Sequence, residues 1–400
     1  MLRESSIQSR EATQQFRVLV VGVGNRSGLA LEVARAARGL VVAIADPDPS
    51  AHKRAKLTFG DDVACFTDHK DAIAAGGIDV AFVSSPDDTH AVIANDLLRA
   101  GIAVYLEKPM AIDIEDADSV LDAAIESGTK LYVGHNMRHM PVVRTMREII
   151  QRGEIGEVKA IWCRHFVGNG GDYYFRDWHA ERARSFGLLL QKGAHDLDVI
   201  HWLAGGRTER VVAMGGSTLY DQTGTRRSAS DSDFIPHPTL KLWPPTAQTD
   251  LNPVIDVEDL SMVLMDLDNG VFASYQQCHY TPDYWRNYTV IGTEGRIENF
   301  GDAAGAVIRL WNTRSNYSAQ GDREYPVEGT GAAHEEADVA TVKEFLDFVE
   351  FDASTDVSSV YARDAVAVAV EATLSIRDNS RPRNVDAYQA TRQTMESHNF

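Results

Sequence analysis

The sequence predicts an α/β protein in two parts: an N-terminal domain on a doubly wound parallel sheet, then an α+β domain with a mostly antiparallel open sheet. Three observations predict it. From Phe16 to Asn136 short apolar runs alternate with helix-like segments of roughly 10–15 residues, the pattern of βαβ units. A glycine turn, Gly22-Val23-Gly24-Asn25-Arg26-Ser27-Gly28, follows the first run. Beyond it the runs lengthen and alternate with period two, and a hairpin signal, Asp268-Asn269-Gly270, separates two of them.

In chain order, Phe16–Val21 reads as a strand and Leu29–Arg38 as a helix stopped by Gly39. Val41–Ala45 and Ile78–Val83 are strands, and Thr89–Arg99 is a helix ending before Gly101. The run Ile102-Ala103-Val104-Tyr105-Leu106 is a buried strand, stopped by Pro109. Asp113 caps a helix through Ser127, Gly128 ends it, and Leu131-Tyr132-Val133 closes the domain as a strand. The division is a tail over 1–14, a dinucleotide-binding domain over 15–136 and a substrate and oligomerisation domain over 137–400. In the latter, Val142–Gln151 is a helix, and Val158–Val167, Arg210–Leu219, Leu260–Leu267 and Val271–Cys278 are strands. Gly292–Gly295 is a second hairpin turn. Asp221–Asp256, rich in Pro, Ser, Thr and Asp, reads as a long surface loop. Two amphipathic helices, His334–Phe351 and Val360–Arg377, precede an irregular tail after Asn379.

Composition narrows the function. With 400 residues, 44% hydrophobic and 24% charged, the chain has length for two domains. Its net charge of −19 argues against nucleic acid or an anionic membrane as partner. Cys65, Cys163 and Cys278 are far apart and form no CxxC, which fits a reducing compartment and excludes a sulfur-based zinc site. No apolar run approaches the ~18 residues of a membrane span, and Met1–Gln15 has no apolar core. The expected location is the cytoplasm.

The chemistry is carried by strand ends. In the glycine turn Gly22 permits the tight reversal and Gly24 lets amides approach a pyrophosphate, with Asn25 and Arg26 beside it. Gly28 falls one residue late for the usual spacing. Asp46 ends the second strand, where a carboxylate bonds ribose hydroxyls and repels a 2′-phosphate, so NAD is expected in preference to NADP. Lys53-Arg54 is read as part of a solvated helix. Ser84, Ser85 and Pro86 end another strand and His90 opens the next helix, positions that line a dinucleotide cleft; Thr89 is read as a helix cap. Glu107-Lys108-Pro109 sits at the carboxyl end of a buried strand, where open α/β sheets bind ligands. Lys108 there is a candidate base, its pKa lowered by burial and by an oxidised nicotinamide, with Glu107 orienting it or touching the cofactor.

A second cluster, Gln191-Lys192-Gly193-Ala194-His195-Asp196-Leu197-Asp198, places His195 and Asp198 on one helix face. It is either catalytic or a satisfied core group; metal is not expected, because no further ligands appear at recognisable spacing. Tyr173–His179, including Trp178, and Tyr280–Arg286 mix aromatic and polar residues, which suits sugar rings and subunit interfaces equally.

Together the glycine turn, Asp46, Ser-Pro-x-x-x-His, Glu107-Lys108-Pro109, Gly134-His135-Asn136-Met137-Arg138 and the His195 helix resemble the glucose–fructose oxidoreductase/inositol dehydrogenase (Gfo/Idh/MocA) family over nearly the whole chain. The resemblance implies a Rossmann domain, an open sheet that makes homodimers or homotetramers, and NAD(P)-dependent oxidation or reduction of sugars and cyclitols. It implies Lys108 and His195 as catalytic residues, Asn136 on the cofactor, and Arg138, Trp178, Gln191 and Lys192 on the substrate. One position departs: inositol-dehydrogenase-like members carry an aspartate four residues before the histidine, and here Gln191 stands there. The expected activity is NAD-dependent oxidation of a secondary hydroxyl of a sugar, cyclitol or glycoside. Its rivals are a redox-neutral, NAD-retaining glycosidase and a non-catalytic dinucleotide sensor.

Overall fold

The first strand forms as expected, Phe16–Val21 (β1), with its last four residues buried. Residues 15–228, 242–329 and 333–389 are described in this computed structural model. The expected tail over 1–14 and the middle of the polar loop lie outside the described residues.

Five more strands join β1: Gly39–Ala45 (β2), Ala64–Phe66 (β3), Val80–Val83 (β4), Ala103–Leu106 (β5) and Leu131–Val133 (β6). They make a parallel sheet in the order β3-β2-β1-β4-β5-β6. The order reverses at β1 and β4, so the crevice for a ligand opens at their carboxyl ends. Asp113 caps helix Ile114–Ser127 by accepting from the Asp116 amide, as the sequence predicted.

The helix after β1 is shorter than expected. A 3-10 turn (Ser27–Ala30) leads into Leu31–Arg35, and β2 already begins at Gly39. A Cβ on Gly39 would lie 2.3 Å from the Phe16 carbonyl oxygen. The glycine is there for a close strand approach rather than as a helix stop. Sequence reasoning also passed over β3 and helix His69–Ala75.

The second sheet has nine strands: Val158–Phe166 (β7), Thr208–Gly216 (β8), Leu260–Leu267 (β9), Phe272–Cys278 (β10), Trp285–Gly292 (β11), Arg296–Phe300 (β12), Val307–Trp311 (β13), Arg323–Pro326 (β14) and Arg383–Asn384 (β15). Their order is β14-β13-β12-β11-β7-β10-β9-β8-β15, antiparallel except for β7 with β10. Both predicted hairpins close as expected, β9 to β10 and β11 to β12. The tail after Asn379 is not wholly irregular, since β15 pairs with β8. One sheet face packs on helices Ala194–Ala204 and Ser359–Arg377. The other leaves Trp162, Met214, Met262, Leu264 and Phe272 exposed.

Two C-terminal helices tie the sheets together. Ala333–Phe351 returns to the first sheet, where Phe345 packs edge-on to Phe82 and Tyr105. The Tyr132 hydroxyl donates to Glu344 at 2.7 Å. Thus this helix, placed by the sequence reading in the second domain, covers a face of the first. Helix Ser359–Arg377, expected to be amphipathic, is instead buried almost all round, because it is held between layers. The described part of the polar loop is not purely superficial: Leu251 is buried against Phe175 and Tyr220, and Gln248 and Asn252 are buried with it. No helix among the described residues is long and apolar enough to cross a membrane.

Candidate active site

A cleft of about 1440 Å³ runs along the carboxyl edge of the first sheet and under the second domain. One end is built by backbone. Gly22 takes a φ of +85°, and a Cβ there would stand 2.6 Å from the Ser85 backbone. Only glycine fits, because the left-handed conformation and the close approach act together. At Gly24 and Gly28 no atom lies within 4 Å of where a Cβ would be. Gly24, which lines the cleft just before the helical turn, thus leaves open space that suits a pyrophosphate. Ser84 donates its hydroxyl to the Gly22 carbonyl at 2.8 Å, pinning the two strand ends. The Thr89 hydroxyl turns back to the Pro86 carbonyl at 2.7 Å and makes no helix-capping bond, contrary to the expected cap.

Asp46 lies at the far end of the cleft. Its carboxylate accepts from the amides of Val23 and Asp48 at 2.8 and 2.9 Å, which fixes the glycine turn against β2. Arg54 also lines the cleft, bonding Ser50 Oγ at 2.7 Å, so this residue is not on the solvated side of its helix as expected. His90 lines the cleft too, with Nδ1 2.7 Å from the Pro109 carbonyl and Nε2 3.0 Å from that of Ser85. It therefore ties the Ser84–Pro86 turn to the Glu107–Pro109 turn.

Glu107 accepts from Arg26 Nε at 2.8 Å and from the Lys108 amide at 3.2 Å. Arg26 reaches further, donating to both oxygens of Asp338 on helix Ala333–Phe351 at 2.7 and 2.9 Å. Asn136 donates to the same carboxylate at 2.7 Å. Asp338 was missed by sequence reasoning, since nothing local marks an acid lying 312 residues from its partner.

Lys108 projects into the middle of the cleft, half-buried, and its Nζ donates to the Gln191 main-chain carbonyl at 2.9 Å. Burial lowers its pKa to about 8; Lys192 and Arg26 push the same way, while Asp87 and Glu107 oppose them. Lys192 is lowered to about 7, by burial first and then Arg286. Two amines with such pKa values facing one cavity mark a functional site rather than a solvated surface.

The other wall is made of side chains: Tyr173, Tyr174, Asp177, Trp178 and His179, then Gln191, Lys192 and His195, with Tyr284 and Asp302. Trp178 stacks on His179 at 3.8 Å, and Lys192 Nζ lies 5.7 Å from the Tyr174 ring centre. Gln191 lines the cleft and is buried, and its Oε1 has no hydrogen-bond partner. Of the two aromatic clusters, 173–179 lines the cleft, whereas from 280–286 only Tyr284 does. Asp87 and Asp302 were missed; each looks in sequence like an ordinary loop acid.

The helix carrying His195 divides its labour differently from the expectation. His195 faces the cleft. Asp198 instead lies behind it, gripped by Arg138 through two bonds of 2.8 and 2.6 Å. Arg138, expected on the substrate, is thus placed away from the cleft. It is 1% exposed, does not line the cleft, and holds the segment after β6 to the second domain. Asp196 points to the sheet, where Arg286 at 3.0 Å and His165 hold its carboxyl well below the usual range against the cost of burial.

The profile of an oxidoreductase family with an NAD-binding Rossmann fold matches residues 16–135, and that of the GFO/IDH/MocA C-terminal domain matches residues 143–298. An inositol 2-dehydrogenase of Rhizobium meliloti is 33% identical over 198 residues, covering 49% of this chain and 56% of that protein. The rhizopine catabolism protein MocA of the same species is 29% identical, covering 48% and 58%. The chain thus spans little more than half the length of these curated relatives. Among solved structures, the WlbA dehydrogenase of Bordetella pertussis, in complex with NADH and UDP-GlcNAcA, aligns with a TM-score of 0.72 at 20% identity, over 93% of this chain and 99% of that one.

Proposed function

The chain belongs to the GFO/IDH/MocA oxidoreductase family, and we propose that it transfers a hydride between NAD and a secondary hydroxyl of a sugar, cyclitol or glycoside. The observation that carries this reading is Lys108: an amine held at the carboxyl edge of the sheet, facing His195 in one cleft, with its pKa brought down to about 8.

The residues that would hold the dinucleotide are Gly22, Gly24, Asn25, Arg26, Asp46, Ser84, Ser85, Pro86, His90, Glu107 and Asn136, all in the cleft wall. When bound, the nicotinamide supplies the hydride acceptor. Lys108 takes the hydroxyl proton as its neutral amine, and the Gln191 carbonyl keeps that amine aimed. His195 polarises the same oxygen. Trp178 offers a flat face to a ring, and the Gln191 Oε1 accepts from a neighbouring hydroxyl; a buried acceptor that is costly while unbonded favours a polyol over an apolar alcohol. Lys192 takes a further hydroxyl or an acidic group. NAD is preferred to NADP because Asp46 stands at the ribose end, and Arg54 is already engaged with Ser50 and, at 3.5 Å, Asp48. The protein acts in the cytoplasm as a homodimer or homotetramer, joined through the sheet face that bears Trp162, Met262, Leu264 and Phe272.

The test is a panel of sugars, cyclitols and glycosides with NAD or NADP, following the reduced cofactor by absorbance. Reduction of NAD by at least one polyol is expected. Release of an aglycone with no net reduced cofactor would replace this reading with redox-neutral cleavage, and cofactor binding without any turnover would replace it with a sensor.

A further inference from the structure

We propose that Asp87 is the carboxylate partner of Lys108, supplied from the dinucleotide-binding side in place of the carboxylate that position 191 lacks. This rests on the reading of Lys108 as the base.

The geometry is that of two neighbouring strand ends. β4 and β5 pair in parallel with Val83 opposite Leu106, so Asp87 and Lys108 leave the sheet at the same edge, four and two residues beyond that pair. The His90 ring bridges the two segments. Asp87 lines the cleft yet is only 3% exposed, and its Oδ2 has no hydrogen-bond partner. A buried carboxylate oxygen left unbonded is costly, and it is sustained where it faces a cation or a ligand. At position 191 the chain offers an amide, whose main-chain carbonyl can aim Lys108 but brings no charge.

The electrostatics agree. Burial pushes the Asp87 carboxyl well above the usual range; Lys108 opposes this, and Asp88, Glu107 and Asp177 add to it. Around Lys108, Asp87 is the largest charge favouring the ammonium, ahead of Glu107, with Lys192 and Arg26 against it. Glu107 is held by Arg26, and Asp88, whose Oδ1 is also unbonded, lies 3.6 Å from Arg184, so it is Asp87 that keeps an unbonded oxygen with no arginine beside it. Asp87 is thus a positioning residue that acts through its charge: it keeps the amine, which the Gln191 carbonyl holds, from becoming too weak a base.

The experiment replaces Asp87 with Asn, nearly identical in shape, and measures the Lys108 pKa without cofactor by competitive labelling with acetic anhydride and mass spectrometry. The Asp87→Asn midpoint is expected to fall by about one pH unit. The acid limb of kcat/KM for polyol oxidation should move down by the same amount, with kcat lowered, and Asp87→Glu should restore part of both. A midpoint within 0.2 unit of wild type by labelling overturns the proposal. If Asp87→Asn does not fold, Asp87→Ser is read by the same labelling, to the same criterion. Retention of wild-type turnover by Lys108→Ala would instead overturn the reading of the base, and the labelling result separates the two failures.

Discussion

The two walls of the cleft are built by opposite means. The dinucleotide side is backbone held in place: a glycine at φ +85°, strand ends pinned by Ser84, and turns tied through His90. The substrate side is side chain, gathered from segments at 173–179, 191–195, 284 and 302. Backbone geometry serves a part common to every dinucleotide, the pyrophosphate. Side chains can be exchanged one at a time without disturbing the fold, so on the proposed function the second wall is where substrate choice would reside.

This contrast can be broken at three places. The largest effect is expected beneath the substrate wall, in the buried Arg138–Asp198 pair. Asp198→Ala leaves a guanidinium that is 1% exposed without its partner and should cost about 3–5 kcal/mol, read by urea denaturation. A loss below about 1 kcal/mol would mean that Arg138 is freer than described and would return it to the candidate substrate residues. Next, Gly22→Ala forces a Cβ to within 2.6 Å of the Ser85 backbone and should weaken NAD binding about 100-fold by calorimetry, with little change in substrate preference. A change in preference at unaltered NAD affinity would dissolve the division between the walls. The smallest effect is at the surface of the substrate wall: Trp178→Ala should raise KM roughly tenfold at nearly constant kcat, the signature of an interaction equal in ground and transition states.

Much of the first wall was legible in sequence because a turn that needs glycine, a carboxylate ending β2 and a lysine ending β5 are local patterns. The same local reasoning failed where a residue's purpose lies far away. Gly39 reads as a helix stop and is a contact with Phe16. Arg138 lies beside Asn136, which does line the cleft, yet its guanidinium goes to Asp198, 60 residues on. Asp87 looks like an acid favoured at a helix start and Asp338 like a solvated helical residue; only the folded chain brings Asp338 to Arg26 and puts Asp87 in one cleft with Lys108. The His195 helix stands out in sequence, but spacing alone does not say that of His195, Asp196 and Asp198 only the first lines the cleft.

The pH dependence of kcat/KM for polyol oxidation tests the account most directly. On the proposed function the base is Lys108 as a neutral amine, its pKa lowered by burial to about 8 from the ordinary lysine value of 10.5. Activity should therefore rise with pH to a plateau, with a single acid limb at or below about 8, since an oxidised nicotinamide beside the amine lowers its pKa further. In Lys108→Ala this limb should vanish, turnover should fall ~10²–10⁴-fold and NAD should still bind. A limb that survives the substitution unchanged, with turnover intact, would show that the proton goes elsewhere.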